Sequence, residues 1–437
     1  MLTNDKTPSE NQEFEPQTIE AEVTSPEATL IERGFKPGRL FASLAHRDFR
    51  FFLSGAILSN IGTWMQQVAL GWLVLEMTKS AFYVGLVNFT GNIPVTFLVL
   101  FAGVAADRLD RKQLIIWSQI IMLTLALILG YITQINVVTI PAIIVISLGF
   151  GLMTAIVFPT WQAFLSDIVP KKDLMNGIAL NSAQFHASRL IGPAVAGLVL
   201  AAYGAAANFY INAVSFLAVV LAMLAIKPES RPKPDYSGVL SHLKEGLAYV
   251  RDNKVVAALL LTTGTITLFG MSYATLMPVL AKEVLHMDAS GYGFLLASNG
   301  LGALTGALLV GALANIVKRE TLIKAGATVF GLGLVTLGFV RTAWLAVPVL
   351  IVCGGSFLIT NSAINTSLQT LTPRRLRGRI MSMFVLMFMG VMPFAGLIFG
   401  AVSEWTGVSY AIAIGGGVTA LTGLVLTINS SLIRQEL

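Results

Sequence analysis

The stretch GVAADRLDRKQL, Gly103 to Leu114, decides how this chain is read. It gathers Asp107, Arg108, Asp110, Arg111 and Lys112 into six positions. On either side the sequence is almost free of charge for about twenty residues, the helical length that crosses a hydrocarbon core. Charge concentrated between two such segments marks a loop at a membrane face. Composition agrees: of 437 residues, 55% are hydrophobic and 12% charged, and the mean hydropathy is +0.75. Soluble domains carry about twice that charged fraction. Length alone would suggest about three soluble domains, but composition overrides it.

Working outward from the loop, apolar spans fall near 50–76, 82–106, 113–133, 138–166, 174–203 and 207–226, then near 255–282, 291–316, 321–340, 344–370, 378–403 and 408–428. These twelve spans predict an all-α integral membrane fold. A strand barrel is excluded, because barrel strands are alternating segments of about ten residues. Residues 1–40 are polar and acidic with no early apolar core, so they are expected to form a disordered cytoplasmic tail rather than a cleavable leader.

Lys and Arg set the orientation. With the N-terminus inside, the inner segments hold Arg39, Arg47, Arg50, Arg108, Arg111, Lys112, Lys171, Lys172, most of the basic residues of 227–254, Lys318, Arg319, Lys324, Arg374, Arg375, Arg377, Arg379 and Arg434. The outer segments hold only Lys79, Lys282 and Arg341. The expected setting is the inner (plasma) membrane, with multiple passes and both termini cytoplasmic. The net charge of +6 is therefore a topology signal, and no nucleic acid partner is expected. The two Asp residues of the opening stretch need another reason, since acidic residues count little toward orientation.

The chain repeats itself. GVAADRLDRKQL pairs with GALANIVKRETL at Gly311, and SAFYVGL at Ser80 with ASGYGFL at Ala289. DIVPKKDLMNG at Asp167 pairs with TLTPRRLRGR at Thr370, and GPAVAGLVL at Gly192 with MPFAGLIFG at Met392. The order is kept, with an offset of roughly 200 residues. Two six-helix bundles are expected, 41–226 and 254–437, joined by a linker at 227–253. In the linker, Leu240, Leu243, Leu247 and Val250 form an apolar stripe fit for an amphipathic surface helix. Six is even, so the repeats are parallel, and substrate is expected at the midplane between them.

At this point the residues carry a resemblance. The opening stretch resembles the loop signature of the major facilitator superfamily, Gly-x-x-x-Asp-Arg-x-Gly-Arg-Lys: Gly103, Asp107, Arg108, Arg111 and Lys112 match, and Asp110 replaces a Gly. In α-helical span 5, RLIGPAVAGLVL is similar to the antiporter signature of drug exporters in that superfamily. There Gly192, Pro193 and Gly197 match, and Ala196 replaces a Gly. The surrounding wording is similar to the branch of enterobactin exporters and macrolide efflux proteins. The resemblance implies a secondary efflux transporter, an antiporter driven by protons, that works by alternating access on a small amphiphilic molecule, a siderophore or drug. It also implies that Asp107 meets the start of span 11, near Arg377, and clamps the inner face, with Arg111 pairing Asp167.

Within the spans, Arg189 is the one formal charge near a midpoint, where a charge is costly and faces the bundle interior. The resemblance makes spans 1, 4, 7 and 10 the cavity wall. Those spans carry Asn60, Trp64, Gln67, Phe158, Trp161, Phe269, Tyr273, Asn361 and Asn365, aromatic rings with a few amides that suit an amphiphilic ligand. Each ring can equally be packing. No Asp or Glu lies at mid-span, so Glu76, at the outer end of span 1, is the candidate for proton coupling.

Other classes fit less well. The histidines His46, His186, His242 and His286 show no metal-ligand spacing, no phosphate-cradling loop is present, and one cysteine, Cys353, permits no intrachain disulfide. No enzyme, no cofactor and no metal are expected, and the unit is expected to be a monomer. An uptake carrier for a small metabolite and a channel stay open as alternatives.

Overall fold

The computed structural model describes residues 41–227, 247–313 and 316–428, with side chains 99–108 outside the described set. Helices run antiparallel in chain order: α1 Arg47–Thr78, α2 Ala81–Arg108, α3 Arg111–Gln134 and α4 Ile140–Ile168. Next comes a 52-residue helix, Leu174–Ala225, whose backbone breaks at Gly204 (φ 77°, ψ 178°). Its two arms are α5 and α6. Then follow α7 Lys254–Val284, α8 Ala289–Leu313, α9 Arg319–Phe339, α10 Ala343–Leu371, α11 Arg377–Thr406 and α12 Val408–Ile428. Among the described residues ten helices are long and apolar enough to cross a membrane, with α5 and α6 counted as one. The remaining helix, α1, has 32 residues, about 48 Å of length. It is less apolar than the others because Asn60, Gln66 and Gln67 lie along its middle. No strand occurs among the described residues.

Local chemistry explains where helices start and turn. Asp110 caps α3, its side chain accepting from the Gln113 N–H at 3.0 Å. That accounts for one of the two acids in the opening stretch. Asn253 caps α7 through the Val256 N–H at 2.9 Å, and Asp288 accepts from the Gly291 N–H at 2.9 Å at the start of α8. The reversals α5–α6 and α11–α12 fall on Gly204 and Gly407 (φ 83°, ψ 151°). Only glycine adopts that backbone readily. The two positions are 203 residues apart (407 − 204), the offset of the sequence repeat.

The repeat is also visible in side-chain bonds. Arg111, at the start of α3, donates to both oxygens of Asp167 at the end of α4, at 3.1 and 2.9 Å. At the corresponding place Arg319, at the start of α9, donates to the Thr370 hydroxyl at the end of α10, at 3.1 Å. Lys112 donates to the Ile226 carbonyl at 2.7 Å and so caps the C-terminus of α6, where a cation is favoured. We call the end that holds these groups the basic end, and the opposite end the far end.

The apolar core divides along this axis. At the basic end, among the described residues, one cluster is built from α1, α3, α4, α5 and α6 around Phe49, Phe52, Phe164 and Met223. A separate one is built from α7 to α12 around Val256, Leu259, Ile364 and Phe384. Toward the far end a single cluster runs through both sets, from Met65, Trp72 and Val84 to Met277, Tyr292, Leu295 and Phe399. Three expectations lie outside the described residues: the tail 1–40, the linker positions Leu240 and Leu243, and the side chains of Gly103, Asp107 and Arg108.

Candidate functional site

The seam between the first six helices and the last six is built mainly on two helix pairs. Where α5 meets α8, a methyl added to Gly197 would lie 2.8 Å from the Ala289 carbonyl oxygen and 2.9 Å from the Gly293 Cα. Only hydrogen at these positions lets the backbones approach so closely. Where α2 meets α11, the Phe89 and Phe394 rings meet edge-on at 5.5 Å, and the Thr96 hydroxyl donates to the Gly390 carbonyl at 3.3 Å.

Polar latches close this seam at the far end. Glu404 of α11 accepts from the Ser80 hydroxyl at 2.6 Å and from the Phe82 N–H at 3.0 Å. A carboxylate of one half thus occupies the helix N-terminus of the other, where anions are favoured. Lys282 of α7 reaches the Glu76 carboxylate of α1 at 3.3 Å and lies 5.2 Å from the Trp72 ring. Trp72 in turn stacks on Tyr292 of α8, centroids 5.7 Å apart.

At mid-depth four helices converge on Arg189. The residue is 15 positions from Leu174 (189 − 174) and 15 from Gly204 (204 − 189), the centre of α5. Its guanidinium donates to the Asn299 amide oxygen of α8 at 3.1 Å and sits 5.9 Å from the Trp64 ring of α1. Tyr273 of α7 is buried beside Arg189 and Asn299.

Of the residues singled out in the sequence, the structure brings Trp64, Arg189 and Tyr273 together. Gln67 and Phe158 are exposed. Asn60 donates to Gln184 of α5 at 3.1 Å, part of the contact between α1 and α5. Trp161 stacks on Phe52 at 4.4 Å inside the basic-end cluster of the first half. Phe269 is half-buried and edge-on to Phe399 at 5.9 Å. Asn361 lines a gap of about 10 Å³ with Thr263, Thr267 and Phe357, room for about one water. Asn365 accepts from Gln369 at 2.6 Å. Gly192 and Pro193 are buried, and a methyl on Gly192 would meet the Trp64 Cβ at 2.6 Å, so this part of the signature packs α5 on α1. Arg377 is exposed at the start of α11, and Glu76 is exposed at the far end.

Sequence reasoning missed Asn299, Tyr292, Lys282 and Glu404 as members of the seam. Each meets a partner in the other half of the chain, so no local spacing announces it. The one available signal is that SAFYVGL and ASGYGFL, already matched as repeats, both open helices at the far end.

A family model described as transmembrane secretion effector matches residues 39–436. The chain belongs to this family. It is thereby an all-α transporter of the major facilitator superfamily, a multi-pass membrane protein and not an enzyme. This member of the family is 27% identical over 293 residues to the staphyloferrin A transporter of Staphylococcus aureus, covering 66% of this chain and 73% of that one. It is 27% identical to the enterobactin exporter EntS of Escherichia coli over 89% of this chain and 93% of the relative. It is 25% identical to the multidrug efflux pump Tap of Mycolicibacterium fortuitum, over 75% and 82% of the two chains. Solved structures share the fold: the nucleoside transporter NupG superposes with a TM-score of 0.66 at 14% identity, covering 87% of this chain and 98% of that one. A D-xylose-proton symporter superposes with a TM-score of 0.69 at 12% identity, over 86% and 96%.

Proposed function

We propose that this transporter is a secondary active exporter that carries a small amphiphilic molecule, a siderophore or a drug, out of the cell by alternating access with proton antiport. The observation that carries the reading is the divided core. Among the described residues, apolar packing is continuous across the halves at the far end and separate at the basic end. A bundle packed this way is closed at one face and free to part at the other.

By the distribution of Lys and Arg, the basic end is the cytoplasmic side of the inner membrane and both termini are cytoplasmic. The far-end latches are then the outer gate, and the two bundles, 41–226 and 254–437, rock about the seam. Asp107 forms the inner clamp with the start of α11 near Arg377 when the outer gate opens, and Arg111 holds Asp167 behind it. The wall of the substrate path carries Asn60, Trp64, Gln67, Phe158, Trp161, Arg189, Phe269, Tyr273, Asn361 and Asn365. Every Asp and Glu among the described residues lies in or beside the first or last turn of a helix. Proton coupling therefore works through a gate: protonation of Glu76 from outside releases Lys282 and frees the outer latch. The working unit is a monomer in the lipid bilayer, with no nucleic acid partner.

Counterflow tests the reading. Purified protein in vesicles preloaded with unlabelled siderophore or drug should concentrate labelled compound transiently. A pore, or a protein that only binds, gives no overshoot.

A further inference from the structure

We propose that the transported molecule carries negative charge, read by Arg189, and that lipophilic monocations are poor substrates. The proposal rests on the carrier reading above and adds the sign of the charge. An unpaired cation at the centre of a membrane bundle costs several kcal/mol, so what surrounds Arg189 is informative. Among the described residues no carboxylate pairs with it: its neighbours are the neutral Asn299 amide, the Trp64 ring and the buried Tyr273.

The hydrogen-bond inventory sharpens this. A guanidinium has five N–H donors and no acceptor. Among the described residues one donor is used, toward the Asn299 oxygen. Asn299 donates one of its two amide N–H groups to the Leu350 carbonyl at 3.3 Å, which holds its oxygen toward Arg189. The remaining guanidinium donors are left for water or cargo. A carboxylate or catecholate fits that fork in two bonds, which a lysine could not offer. The aromatic neighbours Trp64 and Tyr273 supply an apolar flank for the rest of an amphiphile. A monocation would meet the opposite: a fixed positive charge and, among the described residues, no acid at its depth.

The placement also couples binding to movement. Arg189 and Trp64 belong to the first half, and Asn299 and Tyr273 to the second. An anion that takes the guanidinium competes with Asn299 for it and loosens the seam at mid-depth.

The test uses the full chain in proteoliposomes, with a tris-catecholate siderophore, a citrate-based siderophore and the monocation ethidium as probes. Wild type, Arg189→Lys and Arg189→Gln are compared, each checked for a single folded peak and a melting transition. Wild type should carry at least one siderophore saturably and ethidium poorly. Arg189→Gln should raise the half-saturating siderophore concentration roughly ten- to a hundredfold, the loss of a charge-assisted bond. Arg189→Lys should keep the preference for anions with a smaller rise. A residue that merely braced the seam would slow all probes alike and leave their ratio unchanged, which overturns the proposal. Saturable carriage of ethidium with none of either siderophore overturns the charge rule and leaves the carrier reading standing. Carriage of no probe by wild type overturns both.

Discussion

Glu404→Gln should open the far end. The Glu404 carboxylate takes two hydrogen bonds from the other half, from Ser80 and Phe82, and sits at the N-terminus of α2. The contact exists only while the far end is closed, so its free energy weights that state alone. Charge-assisted hydrogen bonds contribute about 1.5–3 kcal/mol each, and a carboxylate at a helix N-terminus adds about 0.3–1 kcal/mol. Glu404 is exposed, which puts its contribution at the low end. Gln keeps an acceptor and loses the charge, a loss of about 1 kcal/mol. That lowers the ratio of far-closed to far-open protein about fivefold. Ala removes the acceptor too, about 2 kcal/mol and roughly thirtyfold. The chain suits a spin-label measurement: its one cysteine, Cys353, is buried and can be replaced by Ser. Labels at Met77 and Trp405, exposed at the far ends of α1 and α11, report the gap between the halves. The long-distance population should grow in the order wild type, Gln, Ala. An unchanged distribution in both variants refutes the latch.

Further perturbations have equally definite outcomes. Gly197→Val places a side chain against the Ala289 carbonyl and Gly293; the far end should then fail to close, and transport should fall at least roughly tenfold while the protein still inserts. Glu76→Lys should slow transport by setting like charges together, and Glu76→Lys with Lys282→Glu should restore it in part, which a cell-based efflux assay reads. Asp167→Asn strips Arg111 of a carboxylate that is 10% exposed, and should cost about 2 kcal/mol, seen as a lower melting temperature; Thr370→Asp, which gives Arg319 a carboxylate, should gain under about 1 kcal/mol. Asp288 is held below the usual carboxylate range by the Gly291 N–H and then the Ser290 hydroxyl. A depressed folded value means its stabilisation is present above about pH 4 and lost as pH falls through the folded value. Asp288→Asn should flatten that acid limb of a melting-temperature profile.

The fold was legible because the bilayer forces it to be. Long apolar runs, basic loops and the repeated stretches at Gly103 and Gly311 dictate helices, reversals and an internal repeat before any packing is known. The repeat carries through to side-chain bonds: Arg111 with Asp167 has its counterpart in Arg319 with Thr370. Other features leave no pattern. The π-turns at Ile266–Gly270, Leu280–Val284 and Leu386–Gly390 follow no spacing read in the sequence. Arg189 stood out because a central charge is rare. Its partner Asn299 did not, because amides are common in spans and the pairing joins residues 110 apart. Trp161 stands out by type and face, but its stacking on Phe52 is a tertiary contact that periodicity does not encode.

The most direct test of alternating access measures both ends in one molecule. Labels at Met77 and Trp405 span the halves at the far end, and labels at Met175 of α5 and Leu308 of α8 span them at the basic end. Under substrate, low pH or Glu404→Gln, lengthening of the first pair should come with shortening of the second. If both distances lengthen together, or the far pair never changes while transport proceeds, the halves do not alternate and the account fails.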